Sequence, residues 1–108
     1  MNRLRTYKEH RARLILVHSH SMDNYLEIQT SEVCGCFYCL ERFSPIEIKE
    51  WVNHGDRPIA TAVCPKCGID SIISDASGFK IALGLLRKLQ RLFFWEGCHL
   101  NANGVRLS

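Results

Sequence analysis

Four cysteines in this 108-residue chain have the spacing of metal ligands. They form two Cys-x-x-Cys pairs, Cys36 with Cys39 and Cys64 with Cys67, and 24 residues separate the pairs. Two thiolates three positions apart can face the same ion when the backbone between them turns tightly. Four thiolates saturate a tetrahedral zinc ion and leave no open position, which is typical of a structural site. The sequence therefore predicts Zn²⁺ as the cofactor and these four cysteines as its ligands.

The two remaining cysteines leave alternatives open. Cys34 could replace Cys36 as a ligand, although its longer separation from Cys39 makes a poorer knuckle. Cys98, followed by His99 in a segment without periodicity, is expected to be a spare thiol. Buried free thiols or a labile iron–sulfur site are the other interpretations of the cysteine set. The basic N-terminal stretch has no pattern of an export signal, so we expect a cytoplasmic protein, in whose reducing surroundings metal binding is favoured over disulfides.

The histidines do not form a recognisable catalytic set. A zinc deaminase uses His-x-Glu with Pro-Cys-x-x-Cys, whereas this chain has His54-Gly55-Asp56 and places its proline after Cys64. His18 and His20 are the candidate cluster for a catalytic metal, but we expect them in a polar turn at a helix end, bonded to backbone groups. Asp70 follows the second pair and is expected to support a ligand cysteine or backbone groups rather than a partner. The sequence leaves catalysis undecided and favours its absence, with a metal-dependent hydrolase or nuclease as the least favoured function.

Hydrophobic spacing predicts an α+β fold, in which about three to four helices flank a small zinc-ribbon-like core of two knuckles and short strands. The expected helices lie near residues 3–17, 45–53 and 79–96, with a short one over 25–31, and the expected strands lie within 57–63 and 68–74. A tight, hairpin-like turn is expected over residues 34–43. One zinc-stabilised domain should span residues 1–97, with Gly97 closing the last helix and residues 98–108 forming a flexible tail.

Two cap signals support the helix boundaries. Ser44, Pro45 and Glu47 form a capping box with proline at the first helical position, which predicts the start of the 45–53 helix. Asn24 followed by Glu27 has the same spacing and predicts a second capping box for the short helix.

Charge is unevenly distributed along the chain, although the net charge is only +3. Residues 1–13 and the part after residue 56 are basic, whereas residues 23–56 carry seven acidic side chains against two basic ones. The ends can complement the middle within one fold, or they can form a surface for an anionic partner. With 46% apolar residues and no apolar run near the roughly 18 residues that span a bilayer, we expect a soluble protein without membrane association.

The segments "CGCFYCLERFSPIEIKEW", "TAVCPKCGIDSII" and "ASG" resemble the core of a group of small bacterial cytoplasmic proteins. That core reads Cys-Gly-Cys-Phe-Tyr-Cys, then Phe-x-Pro-x-Glu-Ile and Trp, then Thr-Ala-x-Cys-Pro-x-Cys-Gly-Ile-Asp-Ser. The likeness covers roughly residues 18–78 and ends after Gly78. It implies a zinc-ribbon-like cytoplasmic protein with Cys36, Cys39, Cys64 and Cys67 as ligands, and it implies no particular activity.

The function we expect is non-catalytic binding, with zinc as a scaffold. In the last helix, Leu92, Phe93, Phe94 and Trp95 surround the axis, so one core cannot bury them all; Phe94 or Trp95 should be exposed and favour a protein partner, above all a homodimer. Nucleic acid is the alternative partner, because two helices are rich in basic residues. These residues are Arg3, Arg5, Lys8, Arg11, Arg13, Lys80, Arg87, Lys88 and Arg91.

Overall fold

The computed structural model describes residues 3–56, 58–96, 99–100 and 106–107, with side chains described for 8–56 and 58–96. Within these ranges the chain forms three α-helices, α1 (Arg3–Ser19), α2 (Tyr25–Gln29) and α3 (Leu83–Gln90). Seven short strands lie in the same ranges: β1 (Cys34–Cys36), β2 (Arg42–Phe43), β3 (Glu50–Val52), β4 (Thr61–Val63), β5 (Ile72–Ser74), β6 (His99–Leu100) and β7 (Arg106–Leu107). The α+β class is confirmed. No helix in the described ranges is both long enough and apolar enough to cross a bilayer.

All strand pairs are antiparallel. β1 is the centre of a three-stranded sheet, between β2 on one side and β5 on the other. β3 and β4 form a separate two-stranded sheet, and β6 pairs with β7. The hairpin expected over residues 34–43 is present as β1 and β2, and the two expected strands are present as the shorter β4 and β5.

Strand β1 separates two hydrophobic cores. Cys34 and Cys36 point to one side, into a core with Ile72 and Ala62. Gly35, between them, faces the other core, where a Cβ added to it would lie 2.6 Å from Ile81 Cγ2 and 3.0 Å from a Leu86 methyl. Because side chains alternate along a strand, one three-residue segment serves both cores. The missing side chain at Gly35 allows α3 and the segment before it to pack directly on the strand.

Replacing Gly35 with alanine is therefore expected to destabilise the fold. The new methyl would lie only 2.6 Å from Ile81 Cγ2, and Ile81 is 5% exposed, so the clash falls within the core. We expect a loss of about 2 kcal/mol in the free energy of unfolding, measured by urea denaturation. Gly84→Ala is the control, because a Cβ there meets nothing within 4 Å and alanine favours the helix by about 0.5–1 kcal/mol. Equal effects of the two substitutions would contradict this packing.

The helix predicted over residues 45–53 is wrong. The capping box forms as predicted, with Ser44 Oγ accepting from Ile46 N–H and Glu47 accepting from Ser44 N–H, but it opens only a single 3₁₀ turn, Pro45–Glu47. The chain then becomes extended and pairs with β4 as β3. Ile48 is buried and Trp51 half-buried, and cross-strand pairing to β4 satisfies backbone groups that a helix would have used. A cap marks where a turn starts, whereas tertiary pairing decides how long it continues.

The first and last predicted helices are present with shifted boundaries. α1 extends to Ser19, two residues beyond the prediction. The last helix starts at Leu83 rather than at residue 79, because Gly78 adopts a left-handed conformation and the chain remains irregular until Ala82. From Arg91 to Trp95 it continues as a π-helix. Gly97 as the closing residue and a flexible tail over 98–108 lie outside the described residues, apart from the β6–β7 pair.

The short helix α2 is confirmed, but its predicted capping box is wrong. Asn24 is 3% exposed and makes no cap hydrogen bond. Its Nδ2 donates to the carbonyls of His20 and Ile72, and its Oδ1 accepts from the backbone N–H of Ala62. Asn24 therefore joins the end of α1 to strands of both sheets, β4 and β5.

Candidate metal centre

The two Cys-x-x-Cys turns have the same backbone hydrogen bonds. In the first, Cys36 N–H donates to Glu41 O and Leu40 N–H donates to Cys36 O, at 3.0 and 2.9 Å. In the second, Cys64 N–H donates to Ile69 O and Gly68 N–H donates to Cys64 O, both at 2.9 Å. The sequence offsets are identical. Each pair therefore forms the same knuckle, which turns its two side chains towards one point.

Each knuckle also directs an amide at its first sulfur. Tyr38 N–H lies 3.3 Å from Cys36 Sγ, and Lys66 N–H lies 3.3 Å from Cys64 Sγ. Amides oriented in this way stabilise negative charge on sulfur, because a thiolate is the better acceptor. The turns are thus arranged for thiolates rather than for neutral thiols.

The residue that closes each knuckle adopts a left-handed conformation. Gly68 does so with φ of 81°, a conformation that glycine adopts without steric cost. In the first knuckle the corresponding residue is Leu40, with φ of 67°. A non-glycine residue in this conformation costs about 1–2 kcal/mol. Leu40 packs against the core beneath α3, and that burial offsets part of the strain.

The four sulfurs form a compact cluster. Cys36 Sγ lies 3.7 Å from Cys67 Sγ, and Cys39 Sγ lies 3.7 Å from Cys64 Sγ. All four atoms lie within 4.8 Å of one another, and in the described part of the chain this is the one such group of histidine, cysteine and acidic residues. Zn–S bonds of about 2.3 Å in a regular tetrahedron place the sulfurs about 3.8 Å apart. These separations exclude disulfides, whose sulfurs lie about 2.05 Å apart, and the donor set fits one tetrahedral ion.

The thiols influence one another's ionisation. Burial opposes ionisation of Cys36, but hydrogen bonds from Ser71 and from the amides of Cys39 and Tyr38 outweigh it and lower the pKa of Cys36. Burial, reinforced by the neighbouring charge of Cys36, raises the pKa of Cys39 to about 11 and also raises the pKa of Cys67. The Cys36 thiolate forms readily, and its negative charge opposes ionisation of Cys39 and Cys67. A divalent cation at the centre removes this repulsion and favours the thiolate form of all four.

Ser71 supports the cluster, and sequence reasoning assigned that role to its neighbour. Ser71 is buried, and its Oγ lies 3.0 Å from Cys36 Sγ. When Cys36 is a thiolate, its sulfur can only accept, so the Ser71 hydroxyl donates to it. Asp70, expected as the supporting residue, points elsewhere, and its Oδ2 lies 3.3 Å from His54 Nε2 at the surface. Asp70 lies at a bend between the second knuckle and β5, so regular strand alternation does not extend back to it. Alternation counted back from Ile72, which lies in the cysteine core, would have selected Asp70, so the local sequence carries no signal for Ser71.

The histidines do not assemble a second metal site in the described residues. The ring of His18 stacks on Phe93, with centroids 3.8 Å apart, and burial lowers its pKa although Asp70 acts in the opposite direction. His20 Nδ1 lies 2.9 Å from a carboxylate oxygen of Glu27. The backbone contacts predicted for these two rings are replaced by an aromatic stack and a carboxylate.

Cys34 lies apart from the sulfur cluster, although it is fully buried on the same side of β1. Its Sγ lies 3.7 Å from Ser31 Oγ, and burial raises the pKa of its thiol to about 11. A neutral thiol is therefore favoured, and Cys34 acts as a small apolar residue in the core. The geometry groups Cys36, not Cys34, with the other three cysteines. Cys98 lies outside the described residues.

Compared with protein-family models, with curated proteins and with solved structures, the chain gives no match.

Proposed function

We propose that this chain is a non-catalytic binding protein whose fold is stabilised by one Zn²⁺, held by Cys36, Cys39, Cys64 and Cys67. The separation of the sulfurs, 3.7 Å in two pairs, carries the proposal, because it is close to the roughly 3.8 Å that four thiolates around one tetrahedral zinc ion require. A zinc-ribbon-like core follows from this arrangement. The resemblance to small bacterial cytoplasmic proteins supports the same ligand set and a cytoplasmic location, since their core contains the same four cysteines.

The position of the cluster supports a structural role for the ion. One knuckle connects β1 to β2 in the three-stranded sheet, whereas the other follows β4 and precedes β5. An ion between them joins the β3–β4 sheet to the central sheet. Four protein ligands leave no position for water or substrate, and a structural site needs none. The ion thus holds the two sheets together, and the protein surfaces that they carry are the ones that bind partners.

Metal analysis tests this assignment. Native mass spectrometry of the purified protein should show one zinc ion per chain, and Co²⁺ substitution should give the absorption bands of tetrahedral thiolate coordination. Cys34→Ala is the control, because Cys34 is a fully buried cysteine on β1 outside the cluster. It should keep full stoichiometry, whereas Cys39→Ser should lose it. Iron with labile sulfide, or full zinc content in the Cys39 variant, would overturn the assignment.

Self-association through the last helix is the partner that we propose, and Trp95 supports it. Its side chain is 71% exposed, whereas Phe94 packs against Phe37 and Tyr38 with ring centroids 5.9 and 5.0 Å apart. Tyr38, 46% exposed, extends the apolar surface next to Phe94. Exposed aromatics are enriched at protein interfaces. Of the two aromatics considered from sequence, Trp95 is the one presented to a second copy.

Replacing Trp95 with serine is expected to shift a dimer to monomer without changing fold stability by more than about 0.5 kcal/mol, because the indole is mostly exposed. Sedimentation velocity over a concentration series measures the shift, and thermal unfolding measures stability. Ile46→Ser is the control, since Ile46 is 78% exposed on a different part of the surface. A wild-type protein that stays monomeric at all concentrations would remove this part of the proposal.

A further inference from the structure

A groove runs between α1 and the segment that leads into α3. Its volume is about 460 Å³, within the range of ligand-binding clefts, about 300–1,000 Å³. Four lining residues carry basic side chains and four are apolar or glycine. They are His10, Arg13, Lys80 and Lys88, and Leu14, Phe79, Gly84 and Leu85.

The charged side chains that line the groove are all basic. Arg13, Lys80 and Lys88 are exposed, and in the part of the chain with described side chains none of them forms an ion pair with a carboxylate. All eleven acidic side chains of the sequence lie in that part. Glu47, for example, forms its salt bridge with Lys66, which lies outside the groove. Three unpaired cations around one cleft form a site for an anion with several charges.

The floor of the groove is apolar. Leu14, Phe79 and Leu85 are half-buried and belong to the core that joins α1 to α3. The guanidinium of Arg13 lies over the Phe79 ring, 5.4 Å from its centroid. A cation–π contact of this kind leaves the N–H groups of the guanidinium available for a phosphate. The groove therefore offers both phosphate-binding cations and a surface on which a base can stack.

Gly84 keeps the groove open. It is the second residue of α3, and a Cβ built on it meets nothing within 4 Å. Alanine would favour the helix there, so helix formation does not require glycine. A large side chain at this position would project into the cleft. This position allows the groove to be blocked without a change of charge.

We propose that this groove binds single-stranded nucleic acid, with Arg13, Lys80 and Lys88 on the phosphates and the Phe79 region under the bases. This site is separate from the metal cluster and goes beyond the structural role of zinc. A base in a duplex is already stacked and cannot reach the apolar floor, whereas an unpaired base can. An acidic peptide would supply the charge without the flat apolar groups.

Fluorescence anisotropy with a labelled oligothymidylate of about 12 nucleotides tests the site on the zinc-loaded full chain. Three phosphate contacts predict a slope of about −2 for log affinity against log salt concentration. Lys80→Gln with Lys88→Gln should flatten the slope by about 1–2 and weaken binding about tenfold at low salt. Arg42→Gln with Lys49→Gln is the matched control, because it removes the same charge from exposed residues outside the groove.

Substitutions at Gly84 separate the groove from general charge. Gly84→Ala should bind within about twofold of wild type, whereas Gly84→Trp should lose about tenfold or more in affinity because base stacking is excluded. Circular dichroism and zinc content confirm that each variant is folded. The proposal is overturned if oligothymidylate does not bind at low salt, if both charge pairs weaken binding equally, or if Gly84→Trp binds normally. Displacement by polyglutamate as effective as by unlabelled oligothymidylate would assign the groove to acidic peptides instead.

Discussion

Replacing Cys64 with serine is expected to remove cooperative unfolding of this protein at room temperature. Zinc ligation contributes about 10–16 kcal/mol in small zinc-binding peptides, whereas the net stability of a domain is only about 5–15 kcal/mol. Loss of one ligand should therefore cost more than about 5 kcal/mol. Near-ultraviolet circular dichroism should show loss of fixed aromatic packing, and zinc content should fall well below one ion per chain.

The size of this effect follows from the position of Cys64. It is 2% exposed, and it lies directly after β4, where the two sheets meet. Without the ion, Cys39 and Cys67 remain half-buried, and burial raises their pKa values. The surrounding core is small, and in the described residues neither a disulfide nor a salt bridge joins the two knuckles. The ion thus supplies stability that a larger domain would obtain by burying more apolar surface.

Two comparisons make the prediction specific. A zinc chelator added to wild-type protein should reproduce the Cys64→Ser spectrum, and added Zn²⁺ should reverse it. Cys34→Ala removes a buried sulfur outside the cluster, and we expect a loss of only about 1–2 kcal/mol with zinc retained. Retention of cooperative unfolding by Cys64→Ser, or an equal loss in both variants, would contradict a structural ion.

The cysteine cluster was the most predictable feature because its geometry is local. A Cys-x-x-Cys turn is defined by five or so adjacent residues, and the pairing of two such turns follows from the chemistry of the ion. Leu40 shows the limit of this reasoning. The position that Gly68 occupies in the second knuckle holds a leucine in the first, and only core packing explains why its strained conformation persists.

The errors occurred where tertiary contacts override local signals. Ser44 and Glu47 form the predicted box, yet the chain after them forms strand β3. It does so because β4 supplies hydrogen-bond partners for its backbone groups. Asn24 has the sequence context of a cap but is buried between strands. In both cases the sequence identifies the residue as important for a turn. The backbone groups that determine its role are distant in sequence, so a short stretch of sequence does not contain them.

Replacing Asn24 with alanine is expected to cost about 3–4 kcal/mol, the second largest effect. The amide makes three hydrogen bonds, at 3.0–3.1 Å, to His20, Ile72 and Ala62. Alanine would leave the Ala62 N–H and the Ile72 carbonyl without partners inside the protein, and each buried unsatisfied group costs about 1–3 kcal/mol. Urea unfolding measures the loss. Thr61→Val is the control, because it removes a single buried hydrogen bond, to Asp23 N–H, and should cost about 1–2 kcal/mol.

Asn24→Asp separates hydrogen bonding from packing, since it preserves the shape of the side chain. The introduced carboxylate would keep an acceptor for Ala62 N–H but would face the carbonyl oxygens of His20 and Ile72. Its pKa should therefore be raised in the folded state, so the folded protein binds more protons than the unfolded chain, and stability relative to wild type should increase as the pH falls. Titration of zinc ligands affects both proteins alike and cancels in the difference. A loss independent of pH, or no larger than that of Thr61→Val, would show that Asn24 fills space rather than joining the two sheets.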